Sequence, residues 1–267
     1  MHRITLIPGD GIGPEVVEAT QKIIAEAKVE IEWEVHHAGL DVARATGTPL
    51  PQTVIEAVRK NRVALKGPVT TPIGQGFRSV NVTLRQTLDL YANVRPIRSL
   101  PNVEHRFGEV DMVIVRENTE GLYAGLELMI LPGVAQSIKL TTDRSSTRIA
   151  EFAFQYAERH RRKRVTIVHK ANILKISDGL ALDCARKVGK LHPEVELAEM
   201  IVDAAAMTMV RDANRLDVLV TENLYGDILS DLGAGLVGGL GIVPGANIGD
   251  EAAVFEAVHG SAPDIAG

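Results

Sequence analysis

The alternation of short apolar runs with segments of helical periodicity is the feature that most constrains the fold of this chain. Runs typical of strands occur at 111–115, 138–142, 165–169 and 216–220. Helical periodicity covers 15–27, 144–158 and 179–188. Apolar strands separated by helices are typical of a parallel sheet that is covered by helices. We therefore expect an α/β fold with a largely parallel sheet.

Composition and charge exclude several classes of protein. The 267 residues suffice for one large or two modest domains, and the net charge of -5 argues against nucleic acid as the main partner. The single cysteine, Cys184, excludes an intrachain disulfide and a cysteine-rich metal site. No apolar run is long enough to span a membrane, and the first residues lack the apolar core of a signal peptide. We expect a cytoplasmic protein without membrane partners.

Two aspartates four residues apart indicate a metal site. Asp227 and Asp231 lie in a segment that we expect to be helical after Gly226, so one helical face carries both carboxylates. Adjacent carboxylates repel each other unless a cation lies between them, and their oxygens suit Mg²⁺ or Mn²⁺. Asp203 interrupts an apolar run and is a further candidate ligand. The alternative is a pair of solvated aspartates, but Asp203 favours the metal site.

A glycine-rich loop, Pro-Gly-Asp-Gly-Ile-Gly-Pro, occupies residues 8–14 between an expected strand at 3–7 and the helix at 15–27. Strand, glycine-rich loop and helix is the order of a phosphate-binding turn. The alternating glycines, however, fit neither the Rossmann spacing nor the P-loop. We interpret the loop as a tight turn with Pro14 at the first helical position.

Three arginines lie near the ends of expected elements and suggest a clamp for carboxylates. Arg85 lies near the start of a helix that also carries Ser79 and Asn81, and a helix N-terminus with such donors favours anions. Arg95 and Arg116 each end an apolar strand. Single arginines are usually solvated, but three in such positions favour a clamp.

Two further polar positions suit a catalytic or binding site. Lys170 ends the apolar strand that begins at Val165, and a neighbouring cation would lower the pKa of a lysine there, which suits acid–base chemistry; the alternative is a surface lysine. The loop at 259–264, His-Gly-Ser-Ala-Pro-Asp, can offer backbone N–H groups to a phosphate.

Six motifs can be compared with known families: Pro-Gly-Asp-Gly-Ile-Gly-Pro-Glu at 8–15, Asp-Leu-Tyr-Ala-Asn-Val-Arg-Pro at 89–96, Arg-Glu-Asn-Thr-Glu-Gly-Leu-Tyr-Ala-Gly at 116–125, Val-His-Lys-Ala-Asn at 168–172, Tyr-Gly-Asp-Ile-Leu-Ser-Asp at 225–231 and His-Gly-Ser-Ala-Pro-Asp-Ile-Ala-Gly at 259–267. Together they resemble the β-decarboxylating dehydrogenases, the family of isocitrate, isopropylmalate and homoisocitrate dehydrogenases. The resemblance implies a two-domain fold whose non-Rossmann cofactor domain comprises 1–98 and 240–267, with a dimerisation domain at 99–239. Relatives continue past the last Ala-Gly, so we expect a cofactor domain that is incomplete at its C-terminus, with an exposed apolar patch.

The resemblance also implies roles for individual residues. It places Mg²⁺ or Mn²⁺ on Asp227 with Asp231 close by, and it has Lys170 and Asp203 donated by the partner subunit of a homodimer. Lys170 would remove the substrate's hydroxyl proton, and Tyr123 would protonate the enol that decarboxylation leaves. Arg85, Arg95 and Arg116 correspond to the arginines that hold substrate carboxylates. The expected cofactor-binding residues are Thr70, His259, Gly260, Ser261, Ala262, Pro263 and Asp264.

The implied reaction is oxidative decarboxylation of isocitrate to 2-oxoglutarate with NAD⁺. Isopropylmalate enzymes carry apolar residues where this chain has Ser79 and Asn81, as isocitrate dehydrogenases do. Asp264 favours NAD, because a carboxylate accepts hydrogen bonds from ribose hydroxyls and repels the 2′-phosphate of NADP. The alternatives are homoisocitrate or 3-isopropylmalate oxidation, a non-catalytic regulatory subunit, and an inactive tricarboxylate-binding fragment.

Overall fold

The computed structural model describes residues 1–70 and 78–267. The strands are β1 (His2–Ile7), β2 (Ile31–Val35), β3 (Val63–Lys66), β4 (Ala92–Arg98), β5 (Asp111–Glu117), β6 (Gly121–Leu131), β7 (Val134–Leu140), β8 (Arg164–His169), β9 (Glu196–Ile201), β10 (Val218–Thr221), β11 (Pro244–Ile248) and β12 (Ala253–Ala257). The helices are α1 (Gly13–Glu26), α2 (Leu40–Thr46), α3 (Gln52–Asn61), α4 (Val80–Thr87), α5 (Asp143–Arg159), α6 (Ser177–Gly189), α7 (Val202–Arg211) and α8 (Asn223–Val237). In this described part of the chain no helix is long and apolar enough to cross a membrane.

The described residues divide into two compact units. The terminal unit comprises Met1–Leu90 and Pro244–Gly267, and the central unit comprises Tyr91–Val243. These boundaries differ from the expected ones after residues 98 and 239. The first difference arises because β4 pairs with β5 along its whole length and so belongs to the central unit.

The sheet of the terminal unit has the strand order β2-β1-β3-β12-β11. β1, β2, β3 and β12 run parallel, and β11 is antiparallel to β12. The helix after the glycine-rich loop begins at Gly13, so Pro14 is its second residue rather than its first, the position that the sequence predicts. The core of this unit includes Ile7, Val54, Val58, Ala64, Leu84, Leu90 and Val254.

The sheet of the central unit has the order β4-β5-β10-β8-β9, in which β4 is antiparallel to β5 and the other neighbours are parallel. The strands expected near 111–115, 165–169 and 216–220 are β5, β8 and β10, and they form its buried centre. Thr221 pairs with Arg116 on one side and with Val168 on the other. Because these strands are parallel, their carboxyl ends share one edge of the sheet, the edge at which ligands bind in α/β folds.

A separate hairpin of β6 and β7 was not predicted in full. The sequence indicated one strand at 138–142, whereas β7 is Val134–Leu140 and β6 was missed. The strand ends before Thr142 because the Thr142 hydroxyl caps α5 by accepting the Ser145 N–H at 3.1 Å. The hairpin forms its own two-stranded sheet and exposes the apolar residues Leu126, Leu128, Met129, Ile130, Leu131, Val134, Ile138 and Leu140.

The start of α8 also differs from the sequence-based expectation. The helix begins at Asn223 rather than after Gly226, because the Glu222 side chain accepts the Tyr225 N–H at 2.8 Å and so caps an earlier turn. Gly226 lies inside the helix, where a Cβ would be 2.4 Å from Thr221 Oγ1 and 2.5 Å from Arg116 Cγ. The glycine therefore allows the first turn of α8 to approach Arg116 closely.

Candidate active site

Asp227 lies at the centre of a hydrogen-bonded cluster in the central unit. Its Oδ2 accepts a hydrogen bond of 2.5 Å from the Tyr123 hydroxyl, and its Oδ1 accepts one from Arg116. Arg116 is 1% exposed, and its Nε and Nη2 donate to Asn223 Oδ1 at 3.0 and 2.6 Å. Its guanidinium lies 5.2 Å from the centroid of the Tyr123 ring. Thus β5, β6 and α8 together hold one carboxylate between a cation and a phenol.

A second arginine binds the other aspartate of α8. Arg95 on β4 donates to Asp231 Oδ1 at 3.2 Å and lies 3.8 Å from Asp227 Oδ1. Hydrogen bonds to Asn93 Oδ1, at 2.9 Å, and to the Ser230 hydroxyl orient its guanidinium. Because one guanidinium contacts both carboxylates, the four-residue spacing does place them on the same face of the helix.

Neighbouring charges set the protonation states in this cluster. Burial alone would raise the pKa of Asp227, but Arg116, the Tyr123 hydroxyl and Arg95 lower it below its ordinary value. Burial raises the pKa of Tyr123, and the hydrogen bond to the Asp227 carboxylate raises it further, against the effect of Arg116. At neutral pH the carboxylate is therefore ionised and the phenol keeps its proton, so the cluster presents a proton donor beside two carboxylates.

Asp227 and Asp231 fit part of the coordination shell of a hard divalent cation. Their side chains are 37% and 57% exposed, and carboxylate oxygens are the ligands that Mg²⁺ and Mn²⁺ prefer. Within residues 1–70 and 78–267 of one chain, no group of three or more His, Cys, Asp or Glu side chains is placed to hold a metal. The remaining ligands would have to come from water, a substrate or a second chain.

Asp203, the third aspartate that the sequence suggested, is bound to Lys170. The Lys170 Nζ lies 2.5 Å from Asp203 Oδ1, where the end of β8 meets the first turn of α7. The hydrogen bond from Lys170 lowers the pKa of Asp203. Within the central unit, the predicted site residues therefore form two groups: Arg95, Arg116, Tyr123, Asp227 and Asp231 in one, and Lys170 with Asp203 in the other.

Arg85, in the terminal unit, binds a buried carboxylate that sequence reasoning missed. Its Nη2 donates to Glu256 Oε1 at 2.9 Å; Lys66 Nζ lies 2.8 Å from Oε2, and Asn247 donates at 2.7 Å. Burial alone would raise the pKa of Glu256, but Lys66 and Arg85 lower it well below its ordinary value. The sequence signal for this ion pair is a single charged residue in each of two mostly apolar strands, Glu256 in β12 and Lys66 in β3. The charge of Arg85 is thus partly compensated within its own unit.

Ser79 and Asn81, the residues expected to select the substrate, begin α4. The Ser79 side chain accepts the Val82 N–H at 3.4 Å, and so caps the helix at the predicted place. Asn81 Oδ1 is buried and has no hydrogen-bond partner among the described residues. A buried amide without a partner is costly, so this side chain is a candidate for ligand binding.

The glycine-rich loop packs against the loop at 259–264. Ile12 N–H donates to the Ser261 carbonyl oxygen at 2.9 Å, and the Ser261 and Thr70 hydroxyls are 2.6 Å apart. Gly11 has a φ of +57°, and a Cβ there would lie 2.0 Å from the Ser261 carbonyl oxygen. The glycines therefore permit this close contact in addition to forming the tight turn.

Asp10 connects separate segments of the terminal unit, a role that the sequence alone does not reveal. Its Oδ2 accepts the Thr70 N–H at 2.7 Å and the Leu40 N–H at 3.1 Å, and so it joins the glycine-rich loop to the start of α2 and to the segment at Thr70. The other expected cofactor residues lie in one short segment. These are His259, whose Nδ1 lies 2.9 Å from the Gly260 carbonyl oxygen, then Ala262, Pro263 and the exposed Asp264.

The fold and these motifs match one family throughout the chain. The family described as isocitrate/isopropylmalate dehydrogenase matches residues 3–267. The structure superposes on that of isocitrate dehydrogenase from Methylococcus capsulatus with a TM-score of 0.96 at 56% identity, covering 100% of this chain and 80% of that one. The chain therefore belongs to the isocitrate/isopropylmalate dehydrogenase family.

Named relatives of similar identity differ in substrate and role. A mitochondrial NAD isocitrate dehydrogenase catalytic subunit 5 from Arabidopsis thaliana is 53% identical over 264 residues, covering 98% of this chain and 71% of the relative. A chloroplastic 3-isopropylmalate dehydrogenase from Solanum tuberosum is 52% identical over 266 residues, covering 99% and 74%. A mitochondrial regulatory subunit of NAD isocitrate dehydrogenase from Dictyostelium discoideum is 51% identical over 268 residues, covering 100% and 74%. Overall identity therefore defines the family but not the substrate.

Proposed function

We propose that this chain catalyses the oxidative decarboxylation of isocitrate to 2-oxoglutarate, with NAD⁺ as hydride acceptor and Mg²⁺ or Mn²⁺ as the metal. The observation that carries the proposal is the cluster in which Arg116 and Tyr123 bind the two oxygens of Asp227. A catalyst of this reaction needs cations for carboxylates, ligands for a hard metal and a proton donor for the enol. The cluster contains all three kinds of group.

The residues of the cluster have separate roles in this proposal. Arg95 and Arg116 attract the substrate carboxylates, while Asp227 and Asp231 hold the metal, which supplies Lewis acidity toward the substrate's oxygens. Tyr123 is protonated at neutral pH, as a phenol of ordinary pKa already is and as its raised pKa reinforces, and it delivers that proton to the enol carbon. Lys170, from a second copy of the chain, accepts the proton of the substrate's hydroxyl group.

The choice of isocitrate rests on the start of α4. Ser79 and Asn81 are polar, and the Ser79 hydroxyl and the Asn81 amide N–H groups can donate hydrogen bonds to a carboxylate. These side chains suit a carboxylate better than the isopropyl group of isopropylmalate, for which apolar contacts would be needed. Homoisocitrate, one methylene longer, and 3-isopropylmalate are the alternatives within this family.

The choice of NAD rests on Asp264 in the loop at 259–264. This carboxylate is exposed, so its charge can repel the 2′-phosphate of NADP and its oxygens can accept bonds from ribose hydroxyls. Thr70 and Ser261 lie within hydrogen-bond distance of each other and bring the two expected cofactor segments together.

A homodimer is the assembly that best accounts for two features of the central unit. Lys170 and Asp203 form a group separate from Asp227, which suits their use in a partner's site. The hairpin of β6 and β7 exposes a row of apolar side chains, and such surfaces are typical of interfaces.

Thermal melts would test the proposed substrate and metal. The protein would be melted with Mg²⁺ alone, isocitrate alone, both together, and Mg²⁺ with isopropylmalate or homoisocitrate. A ligand that binds only the folded state raises the melting temperature by mass action. We expect a rise only with Mg²⁺ and isocitrate together. A larger rise with isopropylmalate would refute the assignment based on Ser79 and Asn81.

A chain that binds isocitrate without oxidising it is the alternative from a different functional class, as the relative named as a regulatory subunit suggests. NADH formation, followed by absorbance with Mg²⁺, isocitrate and NAD⁺, separates the two functions. Turnover would support the dehydrogenase. A metal-dependent melting shift without turnover, under conditions in which NAD⁺ also binds, would favour the binding function.

A further inference from the structure

Asp178, in the first turn of α6, is a buried carboxylate to which the proposed reaction assigns no role. It is 3% exposed and accepts hydrogen bonds from three other elements. Its Oδ1 accepts one from the Lys139 Nζ at 2.6 Å. Its Oδ2 accepts the Lys170 backbone N–H at 2.7 Å and the Tyr225 hydroxyl at 3.1 Å. Any buried carboxylate requires hydrogen bonds of this kind. In Asp178, one of them comes from the backbone of Lys170, the residue proposed as the base.

The backbone of Lys170 is held on both sides. Its N–H is bound by Asp178, and its carbonyl oxygen accepts the N–H groups of Ile173 and Leu174, each at 2.9 Å. The Asp178 N–H in turn donates to the Leu174 carbonyl oxygen at 3.0 Å, which closes the turn. The side chain of Lys170 therefore projects from a turn whose geometry depends on one carboxylate.

Lys139 and Tyr225 fix the carboxylate itself. The Lys139 ammonium lies 4.6 Å from the centroid of the Tyr225 ring while it binds Asp178, so the cation is held between an aromatic face and an anion. These two residues come from β7 and from the first turn of α8. Lys139 and Tyr225 thus hold Asp178 in place independently of its bond to the Lys170 turn.

We propose that Asp178 is a positioning residue that sets the place of the Lys170 ammonium by holding the Lys170 backbone. This inference rests on the proposed function for the role of Lys170 and for its donation to a partner's site. Small displacements of a catalytic group cost rate rather than substrate affinity when the group acts only in the chemical step. The proposal therefore predicts a loss of kcat with little change in KM.

Asp217 offers a matched control within the same unit. Like Asp178 it binds backbone N–H groups, in this case two, those of Lys163 at 2.6 Å and Arg164 at 3.1 Å, and it pairs with Arg162 at 3.1 Å. It lies beside the amino end of β8, whereas Lys170 follows the carboxyl end. Asp217→Asn makes the same exchange of a carboxylate for an amide, with loss of the charge and of one acceptor oxygen, without touching the Lys170 turn.

Hydrogen exchange tests the structural half of the proposal independently of any activity. In Asp178→Asn we expect amide exchange in a peptide spanning residues 168–176 to accelerate by about tenfold or more, since local opening becomes easier. Asp217→Asn should leave that peptide unchanged. Equal protection of the peptide in the unmodified chain, in Asp178→Asn and in Asp178→Ala, which has no side-chain acceptor, would overturn the proposal, whatever the reaction proves to be.

Mixed dimers test the catalytic half. One chain carries Asp227→Asn and the other carries Lys170→Met, so the dimer keeps one intact site, built from Lys170 of the first chain and Asp227 of the second. Asp178→Asn added to the first chain should lower kcat by about 10- to 100-fold with KM nearly unchanged. Added to the second chain, whose Lys170 is already replaced, it should change kcat by less than about threefold. Equal losses in both placements would mean that Asp178 serves folding only.

An inactive mixed dimer and an unfolded Asp178→Asn variant are the two remaining outcomes. If the mixed dimer without any Asp178 change has no activity, the proposed sharing of sites fails, and the exchange experiment still decides whether Asp178 holds the turn. If Asp178→Asn does not fold, Asp178→Glu replaces it, because it retains the charge opposite Lys139. A cavity of about 40 Å³ beside Asp178 gives room for the longer side chain. The displaced carboxylate should still accelerate exchange at 168–176, and unchanged exchange would overturn the proposal.

Discussion

The Tyr123 hydroxyl donates a 2.5 Å hydrogen bond to Asp227 Oδ2, while Arg116 binds the other oxygen of the same carboxylate. The Asp227 carboxylate therefore orients the phenol and compensates the charge of a guanidinium that is 1% exposed. Because of this double contact, Asp227 supports the structure of the central unit in addition to its proposed role as a metal ligand. Experiments on Asp227 have to separate the two roles.

Replacing Asp227 by Asn should abolish the metal-dependent stabilisation by isocitrate, because an amide is a poor ligand for Mg²⁺ where a carboxylate is expected. Without ligands, the variant should lose about 2 kcal/mol of unfolding free energy, since the hydrogen bond from Arg116 is no longer charge-assisted on both sides. Melts with and without Mg²⁺ plus isocitrate measure both effects. Asp231→Asn, at the more exposed position, should keep the ligand-free stability closer to the original. A full Mg²⁺-dependent shift in Asp227→Asn would refute the metal assignment.

Replacing Glu256 by Gln should destabilise the chain by about 3–5 kcal/mol at neutral pH, because Lys66 and Arg85 would lose the buried charge that compensates them. Glu251→Gln is the control, since that glutamate pairs with Arg62 at 3.4 Å on the surface. Urea unfolding measures the difference. A loss no larger than that of the control would show that the buried pair contributes little.

The pH dependence of this difference has a definite sign. Lys66 and Arg85 hold the pKa of Glu256 in the folded chain below the ordinary value of 4.5. The contribution of the carboxylate is therefore complete above pH 4.5 and is lost as the pH falls toward the folded-state pKa. The stability gap between the original chain and Glu256→Gln should narrow on acidification below pH 4.5. A gap that widens there would contradict the depressed pKa.

Local sequence signals predicted the parts of the structure that local interactions determine. The spacing of Asp227 and Asp231 predicted a shared helical face, and Arg95 contacts both. Ser79 caps α4 where the sequence placed it, and Pro14 lies in the first turn of α1, one residue from the predicted position. These outcomes depend on bonds within a few residues along the chain, so a single sequence suffices to predict them.

Contacts between distant segments could not be predicted in this way. Glu256 lies 171 residues from Arg85, and Asp227 lies 111 residues from Arg116, so no local periodicity joins them. The extent of the hairpin was missed because its apolar residues face outward rather than into a core of their own unit. Only the sheet order brings the ends of β5 and β10 together and thereby assembles the cluster around Asp227.

Replacing Asp264 by Lys should shift the cofactor preference toward NADP. The substitution exchanges a charge that repels the 2′-phosphate for one that attracts it, and we expect the ratio of kcat/KM for NADP to that for NAD to rise by at least about tenfold, about 1.4 kcal/mol. Asp250→Lys is the matched control, because it makes the same change of charge at another exposed position of the terminal unit. Equal ratios in the two variants would remove Asp264 from the cofactor site.

Replacing Leu128 by Asp should weaken the proposed homodimer. Leu126 and Leu128 are two residues apart on β6, so their side chains point to the same face of the hairpin. Ile138 on β7 lies directly opposite Leu126 and shares that face. A carboxylate on that face would lose its water in an interface without gaining a partner. Sedimentation velocity should therefore show a shift toward monomer at micromolar concentration. Ile23→Asp on α1, also at an exposed apolar position, should sediment like the original chain. If Leu128→Asp keeps the original sedimentation coefficient, the hairpin is not the dimer contact.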